Sequence, residues 1–123
     1  MSCLMNAGKA AFYDLRITAT KFIVVAHDAS PYVSAYPWSS GFGSKYSNPA
    51  TLPDGRGRGV AFNAAANLLA VANEGATKFV AVYPWAAGFG SKYSDPGTPP
   101  TNNGNSVMFS PSGSDIAFAH VTS

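Results

Sequence analysis

The sequence predicts an all-β fold built from a repeated supersecondary unit. Three observations carry that expectation. A fourteen-residue phrase occurs twice, as YPWSSGFGSKYSNP over residues 36–49 and as YPWAAGFGSKYSDP over residues 83–96. The two copies differ only at Ser39/Ala86, Ser40/Ala87 and Asn48/Asp95, and lie 47 residues apart (83 minus 36). Apolar residues come in runs of strand length, and no window of about eleven residues carries a helical stripe. The 12 glycines and 9 prolines fall mostly between those runs, as turn punctuation would. Self-similarity at a fixed period of this size marks a unit used more than once.

Bulk properties bound the answer. The 123 residues suit one small domain, and 46% hydrophobic against 11% charged residues argues for a folded chain. A net charge of +2, from eight basic and six acidic residues, exerts no strong pull toward nucleic acid or an anionic membrane. The single cysteine, Cys3, excludes an intramolecular disulfide and a metal site built on thiolates. The first residues lack the basic start and apolar run of a signal peptide. The longest apolar run, residues 22–26, is far too short to span a bilayer, and localisation stays open beyond that.

The elements follow in chain order. Residues 1–19 match the repeat poorly and hold one expected strand near residues 11–17; they could cap an exposed edge. Residues 20–123 divide into units at 20–58, 59–104 and a partial 105–123. Ile23 to His27, Leu69 to Asn73 and Ile116 to His120 align as one strand position. Residues 32–36 align with residues 79–83, and residues 59–63 with residues 106–110. Residues 60–62 are a short strand, and residues 63–67 and 110–114 are hairpin turns. The continuous apolar run at residues 68–72 reads as a strand buried on both faces. Residues 73–77 read as a loop. Residues 78–83 are a strand that Pro84 ends, because proline cannot donate to a ladder. Residues 88–93 are the expected fourth, outer strand, and residues 95–104 a long connection.

Four short antiparallel strands in about 47 residues is the size of a propeller blade. Residues 107–119, VMFSPSGSDIAFA, resemble the first hairpin of a WD-repeat-like β-propeller blade, an apolar strand, Ser-Pro-Asp-Gly, then a second apolar strand. Residues 60–72 are a degraded copy. The resemblance covers roughly residues 20–120 and is nearest to propeller repeats of bacteriophage virion proteins, which carry similar Tyr-Pro-Trp and Gly-Phe-Gly-Ser-Lys-Tyr-Ser phrases. It implies about two and a half blades, too few to close a ring of at least four. Copies that self-associate to complete a ring, a fragment of a longer propeller protein, or an open monomeric stack would each account for that count. The closing Trp-Asp pair of the eukaryotic repeats is absent, since Trp38 precedes Ser39 and Trp85 precedes Ala86.

Candidate sites divide by chemistry. Trp38 and Trp85 occupy equivalent positions, beside further aromatics, where they serve blade packing or stack on sugars. Lys45 and Lys92 suit outer-strand positions that blunt an edge. Residues 54–59, Asp-Gly-Arg-Gly-Arg-Gly, read as a flexible surface turn, although Arg56 and Arg58 could fork onto phosphate or carboxylate. His27, Asn73 and His120 are equivalent, and in blade geometry His27, Asp28, Asn73, Glu74, Arg56 and Arg58 share one rim. Two histidines without ligand spacing make no metal motif, and no nucleophile is paired with a base. No cofactor is expected.

The expected function is a non-enzymatic binding or structural module that presents loops to a protein partner or surface receptor, in keeping with a virion protein. A glycan-binding protein using the recurring Trp and Tyr residues is one alternative. A fragment whose function lies in the whole protein is another, and an enzyme whose site forms only in a complete ring is the least favoured.

Overall fold

Seven strands in three antiparallel sheets make up the computed structural model, which describes residues 21–75 and 77–121. The all-β class holds, with no helix among the described residues. The strand expected near residues 11–17, and the segment 1–19 as a whole, lie outside the described residues.

The first sheet is a hairpin of β1 (Lys21–Ala26) and β2 (Val33–Trp38), with Ile23 opposite Tyr36. The second holds β3 (Gly55–Phe62), β4 (Leu68–Gly75) and β5 (Val80–Pro84) in that order. The third pairs β6 (Gly104–Phe109) with β7 (Ile116–His120). The turns after β3 and β6, equivalent in the repeat, solve one problem differently. After β6, Ser110 Oγ accepts from the Asp115 amide at 3.1 Å, and Gly113 takes the left-handed conformation at φ 78°. After β3, Asn63 Oδ1 accepts from the Asn67 and Leu68 amides at 3.0 Å each, and Ala66 is forced to φ 55°.

Three local expectations are corrected. The Asp-Gly-Arg-Gly-Arg-Gly tract is not a flexible turn; from Gly55 onward it is the first half of β3. Its glycines at 55 and 57 face inward and are buried, while Arg56 and Arg58 face out, so the period of two is carried by glycine rather than by apolar residues. The loop expected at residues 73–77 is shorter, because β4 runs on to Gly75 to pair with that half of β3. The outer strand expected at residues 88–93 forms no ladder, so this sheet has three strands instead of four. The segment hangs on β5 by Gly90 N to Pro84 O (2.7 Å), Tyr93 N to Val82 O (2.9 Å) and a Trp85–Phe89 bridge. Pro84 offers no N–H in return. The first copy of the phrase makes the same bonds, Gly43 N to Pro37 O (2.8 Å) and Tyr46 N to Ala35 O (2.9 Å), with a Trp38–Phe42 bridge.

The three sheets stack with the β3–β5 sheet in the middle. One of its faces sets Leu69, Val71, Ala81, Tyr83 and Trp85 against Val33 and Ala35 of β2 and Val24 and Phe22 of β1. The other sets Ala70 and Ala72 against Val107, Phe109 and Phe118. Coverage of both faces is the reason β4 is apolar without alternation: every residue from Leu69 to Asn73 is buried. Each large aliphatic buried there contributes about 1.5–3 kcal/mol. Small alanines on the second face let the β6–β7 sheet approach closely.

Candidate functional site

The middle sheet carries its charged rim where β3 and β4 begin and end. Arg56 lies directly opposite Glu74 in the ladder. The register then slips, since Gly57 pairs with Asn73 but Gly59 with Ala72, which leaves Arg58 as the extra residue of a β-bulge. A bulge re-aims the side chain it carries. Here Arg58 Nε donates to Glu74 Oε2 at 2.7 Å, and its NH1 donates to Asp28 Oδ1 at 3.0 Å. Arg56 NH1 stands 3.5 Å from Glu74 Oε1. The β6–β7 sheet has its bulge at the matching place, 47 residues on, with Asn105 as the extra residue.

Asp28 belongs to the first sheet's loop, so the Arg58 guanidinium ties two sheets together. A backbone bond fixes that approach: Gly57 N donates to His27 O at 3.0 Å. Glycine is required at 57, because a Cβ there would fall 2.3 Å from the Tyr32 carbonyl oxygen. His27 turns its ring inward, with Nε2 2.9 Å from Ser34 Oγ. The arrangement thus brings Asp28, Arg56, Arg58 and Glu74 together and uses His27 mainly through its backbone. The hydrogen bond from Arg58 holds the Glu74 carboxyl below its ordinary range, against a smaller opposing effect of desolvation. The same bond raises the Arg58 guanidinium. Two cations and two anions balance locally.

Asn73, the repeat equivalent of His27, is buried within β4, and its side-chain amide has no hydrogen-bond partner among the described residues. His120 ends β7, exposed, with its ring 6.2 Å from that of Phe118.

A second polar cluster escaped the sequence reading. Thr51, Leu52, Asp54, Thr77, Lys78, Lys92 and Asp95 line a cleft of about 210 Å³. Lys92 is not a solvated edge lysine: its side chain is largely covered and bonds Asp95, and Lys78 Nζ lies 3.6 Å from the other Asp95 oxygen. The bond from Lys92 holds the Asp95 carboxyl below its ordinary range. The available signal was the exchange of Asn48 for Asp95 between the two copies of the phrase, which turns a neutral partner for Lys45 into a charged one for Lys92. Lys45 itself is exposed.

The two tryptophans part company. Trp85 is 3% exposed and meets Phe22, Tyr46, Phe62 and Phe89 at centroid distances of 5.1–5.3 Å, all near edge-to-face. Its faces are occupied by packing. Trp38 is 37% exposed and Phe42, its partner at 5.2 Å, is 65% exposed. Among the described residues no cluster of three or more His, Cys, Asp or Glu could hold a metal ion, and no helix is long and apolar enough to cross a membrane. No protein-family model matches this chain, and no curated protein is significantly similar to it.

Proposed function

We propose that this chain is a non-enzymatic binding or structural module whose stacked sheets hold the Asp28–Arg58–Glu74–Arg56 rim rigid for a protein partner or surface receptor. The observation that carries this reading is the bulge at Arg58. A side chain held by Glu74 on its own sheet and by Asp28 on the next is pre-organised, so little conformational freedom is lost when a partner engages it. The locally balanced charges favour a protein surface of mixed sign over a phosphate backbone, which would compete with carboxylates already in place. The resemblance to virion propeller repeats supports the same role.

The test is capture of partners on immobilised chain, with an Arg56→Ala/Arg58→Ala variant run in parallel and each captured protein re-measured in purified form. A purified partner that binds the native chain at least about tenfold more tightly than the variant supports the rim. Partners that bind both chains equally, while the variant keeps its native thermal transition, sink it.

A further inference from the structure

β6 opens on a run of amides, Asn102-Asn103-Gly104-Asn105. Asn103 is aligned with Arg56, and Asn105 with Arg58, so the third unit sets carboxamides where the middle unit sets its rim arginines. One of these amides stands apart chemically. Asn103 alone in the sequence precedes glycine. Glycine has no Cβ to hinder its own nitrogen, so that nitrogen reaches the side-chain carbonyl before it.

The surroundings single out the same residue. Asn48 precedes Pro49, whose nitrogen has no hydrogen to lose. Asn63 Oδ1 is held by the Asn67 and Leu68 amides, and Asn73 is fully buried inside β4. Asn102 Oδ1 accepts from the Asn103 amide at 2.8 Å. Asn103 itself is half-buried, and its carboxamide makes no hydrogen bond among the described residues. Val121 N donates to Asn103 O at 3.0 Å, and residues 101–102 ahead of it are bends. With that bond in place Gly104 and His120 face each other as a non-hydrogen-bonded pair, so β7 does not hold the Gly104 N–H. Opening at the end of a hairpin is the least costly local unfolding.

We propose that Asn103 is a site of spontaneous deamidation. The Gly104 nitrogen attacks Cγ of Asn103, the Cγ–Nδ2 bond breaks, and ammonia leaves with the proton lost from Gly104. The resulting succinimide takes up one water from solvent. Opening at one carbonyl gives aspartate, and opening at the other gives isoaspartate, with the main chain routed through the side-chain carbon. Either product replaces a neutral amide by a carboxylate and lowers the net charge from +2 by one unit. Isoaspartate also adds a methylene ahead of Gly104, where the Phe118 ring already stands 2.5 Å from the place of a Cβ. The charge arises on the strand beside the rim, since a Cβ on Gly59 of β3 would fall 2.9 Å from Asn105 O. The inference stands whatever the rim binds.

The test incubates the purified chain, warm and at mildly alkaline pH, until a free peptide of residues 99–108 has converted. Ion exchange separates the acidic forms, and peptide mass spectrometry locates the change. Asn103→Gln and Asn105→Gln run in parallel, because glutamine must close a larger ring and reacts far more slowly. The native chain is expected to gain one dominant acidic form, altered at Asn103 and containing isoaspartate. Asn103→Gln is expected to slow its build-up by about tenfold or more, and Asn105→Gln to leave the rate unchanged. A native chain that stays unaltered while the peptide converts overturns the inference. So do acidic forms that map to another asparagine, or an Asn103→Gln chain that acidifies as fast as the native one.

Discussion

The Trp85 indole meets the Tyr46 ring edge-on, with centroids 5.3 Å apart at 87°, and this contact joins the first unit to the second. The same phrase places Trp38 where, among the described residues, only Phe42 of its own phrase meets it ring to ring. Nearly identical sequence thus yields a buried residue, Trp85, and a partly exposed one, Trp38. Trp85→Ala is expected to destabilise the fold by about 3–5 kcal/mol, and Trp38→Ala by about 1–2 kcal/mol when the chain is dilute. Urea unfolding of both variants checks the asymmetry.

Gly57 sits where β3 touches the first sheet's loop. Gly57→Ala drives a methyl group into the Tyr32 carbonyl and displaces the bond to His27 O. A loss of about 3 kcal/mol or more is expected. Gly97→Ala, where a Cβ meets nothing within 4 Å, is expected to stay within about 0.5 kcal/mol of the native chain. Thermal or urea unfolding of the pair separates a steric requirement from a general dislike of side chains.

Ala66 carries a left-handed conformation that Gly113 carries in the matching turn. A Cβ is disfavoured there by about 1 kcal/mol, partly offset by the lower entropy of alanine in the unfolded chain. Ala66→Gly is therefore expected to stabilise the protein by about 0.5 kcal/mol, read as a higher urea midpoint with an unchanged slope.

Acid should unfold this protein through Glu74 and Asp95. Both carboxyls are held below their ordinary values in the folded state, Glu74 first by the Arg58 hydrogen bond and Asp95 first by the Lys92 hydrogen bond. Between the folded and unfolded values the unfolded chain binds more protons, so stability falls as pH drops. The contribution is complete above the ordinary carboxyl range and gone once the folded groups are protonated. Arg58→Gln is expected to flatten part of this acid slope and to weaken stability slightly at neutral pH, with both effects shrinking in high salt. Urea midpoints from neutral to acid pH, with and without salt, make the comparison.

Most of the fold was legible because its signals are local. The runs at residues 22–26 and 68–72 and the Ser-Pro-Ser-Gly-Ser turn declare strands and a hairpin without tertiary help. β3 was misread at its start because glycine, buried through its lack of a side chain, leaves no apolar mark. The outer segment at residues 88–93 was overread, since its glycines and the preceding Pro84 permit two bonds to β5 but no ladder. The rim residues were found by repeat position, which set His27, Asp28 and Glu74 at equivalent strand ends. The role of Arg58 was not, because a bulge depends on the register of two strands. The contrast between Trp38 and Trp85 was hidden for a related reason. It depends on which unit lies beside each, and nothing within the phrase records that.

That contrast has a direct optical test. Acrylamide quenching of Trp38→Phe reports Trp85 alone, and quenching of Trp85→Phe in dilute solution reports Trp38 alone. We expect Trp85 to emit at short wavelength and resist quenching, and Trp38 to emit further to the red and quench readily. Equal emission and equal quenching of the two would contradict the claim that one repeated phrase serves packing in one unit and presentation in the other.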